Sequence, residues 1–394
     1  MEKVLFITQC VPVSVSPHAG GQMSHYYVKK MNDNSNIDLR LICYGDMQEE
    51  KLVPYLQEEG FNAFWCSSSK EKFLLKIVNK FSKTTYGFIP LSVAKKIKYF
   101  LHVLKNSGFI PQTCIFEWEE SAFILPIIKR VFPDIKTSVI EIDVKWQSLY
   151  RFYKQSSNYL KKIYYYYLYR RLLKADKKYF VLLDEIVVIS QKDKQLVECL
   201  NIVNNKIRII PPYFHDYSNI PIDCPKEQNV LFYGYLKREE NLEAIRWFIK
   251  EVMPICQGIK FIIIGGGVTE EINALQNDKI IITGYLEVDE IERYFSNALC
   301  MVVPLFHGAG TKIKVLEAMS AGLPVLTNKI GIEGINAIDG KTYFHCETPD
   351  DYYQAINKLQ NNGEIRIQIG VNSRKMVEED FNYHKANYLN RIEA

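Results

Sequence analysis

The chain has 394 residues, of which 47% are hydrophobic and 24% charged, with a formal net charge of +4. This length predicts two or three domains, and the composition excludes a disordered, collagen-like or coiled-coil protein. No apolar run reaches the roughly 18 residues that a membrane-spanning helix needs, and the N-terminus reads as a strand without a signal-peptide pattern. Nine cysteines without a C-x-x-C pair indicate thiols in a reducing cytoplasm, not disulfides or a zinc site.

The net charge conceals an uneven distribution. Residues 1–225 carry 31 Lys and Arg against 22 Asp and Glu, a balance of +9, whereas residues 226–394 carry 18 against 23, a balance of −5. Lys70–Lys105 holds nine lysines and one acid, and Lys145–Lys178 holds ten basic residues, one acid and the run Tyr164–Tyr167. Basic charge with aromatic rings suits an anionic surface, either membrane headgroups or nucleic acid, and equally a solvated helix face above core tyrosines.

The first half of the chain alternates apolar strand patterns with helical stretches. Such alternation indicates a parallel α/β sheet. Ser190 ends one of these strands with an acid three residues on, Asp193, which predicts a helix N-cap. The strand candidates of this half are Val4–Thr8, Leu39–Tyr44, Thr113–Glu117, Thr137–Ile142, Glu185–Ser190 and Lys206–Ile210.

Residues 211–228 contain four prolines and no periodicity, which predicts a linker. A second α/β series follows the linker, so the chain divides into two α/β halves of similar size. The helix candidates of this series lie near Leu242–Met253 and at Lys312–Ser320. Its strand candidates are Val230–Gly234, Lys260–Gly265, Ile280–Gly284, Met301–Pro304 and Pro324–Thr327.

The most informative segment is Pro304–Val325, which reads P-L-F-H-G-A-G-T-K-I-K-V-L-E-A-M-S-A-G-L-P-V. A strand ends at its first residue, and two glycines in the following loop let the backbone approach a ligand closely. The N-terminal N–H groups and the dipole of the next helix favour a phosphate, and Lys312 and Lys314 add cationic charge in the same turn. Glu317 lies one turn further on, within reach of a sugar hydroxyl pair. The segment therefore predicts a diphosphate site.

This segment and three shorter ones resemble the retaining GT-B glycosyltransferases close to glycosyltransferase family 4. The shorter ones are V-L-F-Y-G-Y-L with a later asparagine, I-I-I-G-G-G and I-I-T-G-Y-L, in the family's order and spacing. The early stretch V-P-V-S-V-S-P-H-A-G-G-Q-M-S-H-Y is similar to the family's donor-side glycine loop. The resemblance implies an α/β GT-B fold, with two Rossmann-like domains facing a central cleft. It implies an acceptor-binding domain at 1–212, a nucleotide-sugar domain at 226–377, and a helix at 378–394 that packs back on the first domain.

The resemblance also implies roles for individual residues. Glu317 matches the carboxylate that hydrogen-bonds the nucleotide ribose, and Lys314 or Lys312 neutralises the diphosphate. Asp143 is a further catalytic candidate. The remaining donor-binding candidates are Gly20 and Gly21 from the first half, Gly234, Gly284 and Tyr285 at strand ends of the second half, and His307, Gly308, Ala309, Gly310 and Thr311 in the glycine loop.

Three departures from the family's pattern bear on activity. A second acid that many members have eight residues before Glu317 is Ala309 here, although a related branch with G-A-G-x-K-x-K also lacks it. The His-Asp pair after the strand V-I-E-I-D-V is reduced to Asp143, so Glu141 or Asp143 would replace the sugar contact of the histidine. The family's Arg and Lys after position 234 are out of register, with the nearest cations at positions 237 and 238.

Some of these residues also fit ordinary structural roles. No histidine has metal-ligand spacing, and His307 is the best placed because it stands beside the glycine loop. Gly265–Gly267 is not a dinucleotide fingerprint, because Glu270 stands where the third glycine belongs. Glu333 would either touch a ligand or cap the backbone.

The sequence thus predicts a retaining glycosyltransferase that moves a sugar from a UDP- or GDP-sugar to a glycan or lipid-linked acceptor in bacterial surface polysaccharide assembly, capsule or lipopolysaccharide. No cofactor or metal is expected. The predicted location is the cytoplasm, peripherally on the inner face of the membrane through the two basic stretches. The missing acid and histidine favour one alternative, a noncatalytic binding subunit of a glycan-assembly complex. No nucleic-acid partner is expected, since no recognition motif accompanies the basic stretches.

Overall fold

The structure is a computed structural model, described for residues 1–68, 79, 82, 87–202, 204–223 and 227–382. Its contacts divide the chain into two α/β units, unit 1 up to Ile210 and unit 2 from Pro211. Residues 378–380 form the end of the last helix of unit 2. Residues 383–394 of the predicted C-terminal helix, residues 70–78, 80, 81 and 83–86 of the first basic stretch, and residues 224–226 of the predicted linker lie outside the described residues.

Unit 1 contains a seven-stranded parallel sheet. Its strands are β1 (Glu2–Thr8), β2 (Ile37–Gly45), β3 (Ala63–Ser67), β4 (Thr113–Glu117), β5 (Lys136–Glu141), β6 (Glu185–Val188) and β7 (Ile207–Ile209). They follow the order β3-β2-β1-β4-β5-β6-β7, and every neighbouring pair is parallel. The strand order reverses between β1 and β4, since β2 and β3 are added on one side of β1 and the later strands on the other, and open α/β sheets bind ligands at such a point.

Helices alternate with these strands in the described part of unit 1. They are α1 (Ala19–Asn32), α2 (Met47–Glu50), α3 (Val53–Glu58), α4 (Leu91–Asn106), α5 (Leu125–Val131), α6 (Lys145–Gln155), α7 (Tyr159–Tyr179) and α8 (Gln191–Glu198), with short 3₁₀ turns at Glu119–Ile124, Phe180–Leu182 and Asn204–Lys206. The N-cap predicted at Ser190 is confirmed, because its Oγ accepts the N–H of Asp193 at 3.1 Å.

Unit 2 contains a six-stranded parallel sheet. Its strands are β8 (Asn229–Tyr233), β9 (Lys260–Ile264), β10 (Ile280–Gly284), β11 (Cys300–Val303), β12 (Val325–Thr327) and β13 (Phe344–His345). They follow the order β10-β9-β8-β11-β12-β13, all parallel. Both faces are covered, so β9 and β11 are almost continuously apolar and buried.

The helices of unit 2 follow its strands in the same alternation. They are α9 (Glu239–Trp247), continued by a π turn at Phe248–Val252 and a 3₁₀ turn at Met253–Ile255, α10 (Glu270–Asn273), α11 (Val288–Asn297), α12 (Ile313–Ser320), α13 (Pro349–Asn361) and α14 (Gly363–Asp380). The helix predicted at Lys312–Ser320 is α12, with Lys312 as its N-cap.

The proline-rich segment 211–223, part of the linker predicted at 211–228, is held by two arginines of α14. Arg366, buried on α14, donates to the carbonyl of Ala298 at 2.8 Å and also to the carbonyl of Asp223. Arg374, about two turns further along the same side of α14, donates to the carbonyl of Ile220 at 2.6 Å. Two guanidinium groups therefore fix this segment to unit 2, because each offers several donors in a rigid fork.

Two strands are absent from the sequence prediction, β3 and β13. β3 is an edge strand whose first three residues are only half-buried, and β13 has two residues. Across the residues that the structure describes, no helix combines the length and hydropathy needed to cross a bilayer.

Candidate functional site

The loops that follow the strands of unit 2 meet at one edge, because the strands are all parallel. Gly234 follows β8, Gly265–Gly267 follows β9, and Tyr285 follows β10. The glycine loop 304–312 joins β11 to α12. The predicted donor-binding residues of the second half are therefore gathered at this carboxyl edge of the sheet.

The first three of these loops are joined through their backbones. Gly265 has a φ of +155°, and a Cβ on it would lie 1.9 Å from the carbonyl oxygen of Gly234. Its N–H donates to the carbonyl of Gly284 at 3.0 Å, and the N–H of Leu236 donates to the carbonyl of Gly266 at 2.8 Å. Only glycine fits at position 265, both for this close approach and for its backbone angle.

The glycine loop is closed by its own lysine. Gly308 and Gly310 have φ values of +112° and +70°, in the region that favours glycine. The Lys312 Nζ donates to the carbonyls of Ala309 at 3.0 Å and Gly310 at 2.5 Å. Thr311 is buried, and its Oγ1 has no hydrogen-bond partner among the described residues. The loop thus uses Lys312 internally and leaves a buried hydroxyl unsatisfied.

Lys314 lies next to the start of the β8 loop. Its Nζ donates to Asn241 Oδ1 at 2.7 Å, stands 4.3 Å from the centroid of the Phe232 ring, and would be 3.0 Å from a Cβ on Gly234. Burial, with the cations of Arg238 and Lys312 nearby, lowers the pKa of Lys314 to about 7. Lys314 is therefore partly protonated at neutral pH, and its ammonium can bind an incoming anion.

Glu317 lies one turn after Lys314 on α12, on the same side of the helix. Its side chain is 4% exposed, and its Oε1 accepts the N–H of His215 at 3.3 Å. Burial raises the pKa of Glu317 to about 7, against the opposing effects of that hydrogen bond and of Lys314. The carboxyl is therefore able to accept or to donate a hydrogen bond near neutral pH.

The other predicted residues of this edge differ in exposure. Tyr285 is 62% exposed, and its ring lies beside Gly266. The His307 Nε2 lies 3.0 Å from Glu243 Oε2 on α9, which ties the glycine loop to that helix. Ala309, at the position of the family's second acid, is half-buried in the loop.

The glycine pair predicted in the first half begins α1 of unit 1. The N-cap is His18, whose Nδ1 accepts the N–H of Gly21 at 2.9 Å. A Cβ on Gly20 would lie 2.8 Å from the ring of Trp118, and one on Gly21 would lie 1.9 Å from Ser16 Oγ. Both glycines are thus needed for packing inside unit 1, in addition to any contact with a ligand.

Asp143 lies two residues after β5 and is half-buried beside a group of buried acids. Burial raises the pKa of Glu119 to about 8 and the pKa values of Glu141 and Asp176 well above their usual range. Lys145 forms an ion pair with a further buried acid of this group. Within the described residues, no group of three or more His, Cys, Asp or Glu side chains is arranged to hold a metal ion.

Sequence reasoning missed two residues at the unit 2 edge. Asn241 accepts from Lys314 and donates through Nδ2 to the carbonyl of Tyr235 at 2.7 Å, so it positions both the lysine and the β8 loop. His215 supplies its backbone N–H to Glu317. Asn241 is the later asparagine of the V-L-F-Y-G-Y-L motif, and that motif was its only signal in the sequence. The backbone N–H of His215 has no sequence signal, because every residue type except proline carries one.

Comparison with known proteins identifies the second half. Residues 227–362 match the family model described as glycosyl transferases group 1. Unit 2 carries a group 1 glycosyltransferase domain. Over 98% of both chains, the protein is 22% identical to an uncharacterized 44.6 kDa protein in the cps region of Klebsiella pneumoniae. A segment of 99 residues, 24% of this chain and 23% of its relative, is 33% identical to the alpha-1,3/1,6-mannosyltransferase ALG2 of Dictyostelium discoideum.

Solved structures share the fold over the whole chain. Sucrose-phosphate synthase from Thermosynechococcus elongatus matches with a TM-score of 0.72 at 14% identity, covering 100% of this chain and 98% of its own. Anabaena HepE in complex with UDP and glucose matches with a TM-score of 0.67 at 12% identity, covering 100% and 99%. The predicted GT-B fold and the glycosyltransferase class of the enzyme are confirmed, whereas the roles of individual residues and the absence of a metal requirement stay predictions.

Proposed function

We propose that this group 1 glycosyltransferase moves a sugar from a nucleoside-diphosphate sugar to a hydroxyl of a glycan or lipid-linked glycan, with retention of the anomeric configuration. The observation that carries the proposal is the pair of Lys314 and Glu317, a cation and a carboxyl one turn apart beside the start of the β8 loop. Such a pair matches the two polar parts of a nucleoside diphosphate, because the diphosphate needs a cation and the ribose diol needs an acceptor.

The donor would bind mainly to unit 2. The Lys314 ammonium and the N–H groups at the start of α12 would stabilise the diphosphate, and Glu317 would hold the ribose. The unsatisfied hydroxyl of Thr311 adds a donor in the same loop. HepE has been solved in complex with UDP-glucose and TarM in complex with UDP, which supports a UDP-sugar as the first donor to test.

The transfer would be driven by electrostatic stabilisation of the leaving group. The bond from the anomeric carbon to the diphosphate oxygen breaks, and the diphosphate leaves with the electron pair. The acceptor hydroxyl forms the new bond on the same face, and its proton passes to the departing phosphate. Lys314 would stabilise the charge that develops on that phosphate, which is a large contribution in a water-excluded site.

The acceptor is proposed to belong to bacterial surface polysaccharide assembly in the cytoplasm. The relative in the cps region of Klebsiella pneumoniae, matched over nearly its full length, supports this setting. Acceptor binding is assigned to unit 1, where Glu141 ends β5 and Asp143 follows it.

The test compares Glu317→Ala, Lys314→Met and two matched controls, Glu364→Gln and Lys375→Met, which alter exposed residues of α14. Thermal shift with UDP and GDP and with a panel of UDP- and GDP-sugars measures binding. Product formation with isolated polysaccharide precursors measures transfer, and the proton NMR coupling of the new linkage reports its configuration. We expect both site variants to lose transfer by at least 100-fold while the controls keep it. Full transfer by a folded Glu317→Ala variant would sink the assignment.

The alternative function is a noncatalytic binding subunit of a glycan-assembly complex. Ala309, in place of the second acid, is the observation that favours it. Nucleotide binding that depends on Glu317, without transfer from any donor in the panel, would be the result that supports this alternative.

A further inference from the structure

The hairpin formed by α6 and α7 is the most exposed aromatic region among the described residues. Pairs of aromatic rings hold its two helices together, Phe152 against Tyr165 at 5.1 Å and Tyr153 against Tyr166 at 5.1 Å between ring centroids. No residue of α6 is buried, and the buried residues of α7 begin only at Leu172. The first three turns of α7 therefore extend beyond the packed core of unit 1.

Exposed apolar side chains cover these first turns of α7. Tyr159 and Leu160 are 75% and 76% exposed, at the hairpin tip. Of the tyrosine run, the second member is half-buried in the hairpin, whereas Tyr164, Tyr166 and Tyr167 are 45–51% exposed. Such a cluster of large exposed apolar side chains is unusual on a surface that contacts only water.

Basic side chains continue the same side of the helix. Leu160, Ile163, Tyr167, Arg170, Lys174 and Lys177 follow one another at alternating spacings of three and four residues, which keeps them on one side of an α-helix. We name this row the α7 stripe. Its first half is apolar or aromatic and its second half cationic, and all six side chains are exposed. The stripe spans about 26 Å at the rise of 1.5 Å per residue.

The hairpin offers no acid of its own to neutralise these cations. The one acid between positions 145 and 178 is Asp176, which is completely buried. Lysines of the hairpin also lie over tyrosine rings, such as Lys154 at 5.5 Å from the ring centroids of both Tyr150 and Tyr153. The surface is therefore strongly cationic and aromatic.

We propose that the α7 stripe docks this protein on an anionic lipid bilayer. Tyr159, Leu160 and Ile163 would enter the boundary between headgroups and acyl chains, where tyrosine suits a partly wet, partly apolar layer. Arg170, Lys174 and Lys177 would then meet the lipid phosphates, since they follow on the same side of the helix. A membrane is favoured over nucleic acid because the two aliphatic residues near the tip do not stack on bases or bind phosphate, whereas they gain from contact with acyl chains.

The docking is independent of the proposed sugar transfer, since the stripe shares no residue with the unit 2 edge. The test uses the full chain and co-sedimentation with vesicles of phosphatidylcholine, with and without 30 mol% phosphatidylglycerol. One variant removes the cations (Arg170→Gln, Lys174→Gln, Lys177→Gln) and another removes the aliphatic tip (Leu160→Gln, Ile163→Gln). The control removes three exposed lysines of unit 2 (Lys250→Gln, Lys279→Gln, Lys375→Gln).

We expect binding to the anionic vesicles only, weakened by about 0.5 M salt. The charge variant should lose on the order of 100-fold in partition coefficient and the tip variant at least about tenfold, whereas the control stays within about twofold. A charge variant that binds like the parent, or equal binding to neutral vesicles, would overturn the proposal. Tight binding of single-stranded oligonucleotides without vesicle binding would assign the stripe to nucleic acid instead. Unchanged circular dichroism and thermal midpoints verify that each variant is folded, and Lys174→Gln alone gives a milder variant.

Discussion

Lys314 should make donor binding depend on pH. With a pKa of about 7, its ammonium is about 90% charged at pH 6 and about 10% charged at pH 8. A diphosphate that binds only the charged form should bind about tenfold more weakly at pH 8, equivalent to about 1.4 kcal/mol. Because the bound anion raises the pKa of Lys314, the affinity for the diphosphate is highest below pH 7 and falls as the pH rises through the pKa of the ligand-free protein.

Calorimetry with a nucleotide sugar measures this effect directly. UDP-glucose keeps a constant charge over this range, and repeating the titration in phosphate and in Tris buffer counts the protons that are taken up. At pH 8 the parent should take up close to one proton more than Lys314→Met. Lys375→Met should behave as the parent. Equal proton uptake by the parent and by Lys314→Met would refute a neutral lysine in the empty site.

Two further predictions concern stability. Gly265→Ala should lower the free energy of unfolding in urea by more than about 3 kcal/mol, because its Cβ would meet the carbonyl of Gly234. The control Gly60→Ala has open space around its Cβ and should lower the free energy of unfolding by about 1 kcal/mol. Equal losses in the two variants would show that the close approach at Gly265 is unimportant. Burial raises the pKa of Glu117 to about 7, so its contribution, up to about 3 kcal/mol, is complete below pH 4.5 and lost as the pH rises through 7. Thermal midpoints should therefore fall less between pH 5 and pH 8 in Glu117→Gln than in the parent, and parallel curves would contradict this.

The sequence predicts every central strand, because burial on both faces makes most of them apolar, and it also predicts two of the four edge strands, β7 and β10. The edge strand β3 is not predicted, since it has only five residues and the first three are half-buried. Segment 211–223 escapes for a different reason. Its prolines remove periodicity, and what fixes it is a pair of arginines about 150 positions away, which no local pattern reveals.

In the candidate site, too, the residues of a local motif are predictable from the sequence and their distant partners are not. Glu317 and Lys314 stand in one contiguous motif, so their spacing is readable from the sequence. Their partners are distant: the contacts with Asn241 and His215 join positions 73 and 102 residues apart. The sequence left Lys312 and Lys314 as alternatives for the diphosphate, and our proposal assigns it to Lys314 because Lys312 bonds the carbonyls of its own loop.

The buried acids of unit 1 show a limit of composition-based reasoning. Glu119 and Glu120 follow β4 in the stretch E-W-E-E, which looks like a solvated turn. Both are at most 3% exposed. Burial of acids is set by the elements that pack over them, here the C-terminal half of α7 with its own buried Asp176, and this packing is a tertiary property.

The backbone contact between the loops after β8 and β9 also determines which loops of unit 2 could be exchanged with those of a related domain. A chimera that replaced residues 234–237 alone would set a foreign carbonyl against Gly265, and one that replaced residues 265–267 alone would risk a side chain where only hydrogen fits. Gly284 belongs to the same arrangement through its hydrogen bond to Gly265. We therefore expect that nucleotide preference can be moved between related domains only when the loops after β8, β9 and β10 are exchanged together, in evolution as in engineering.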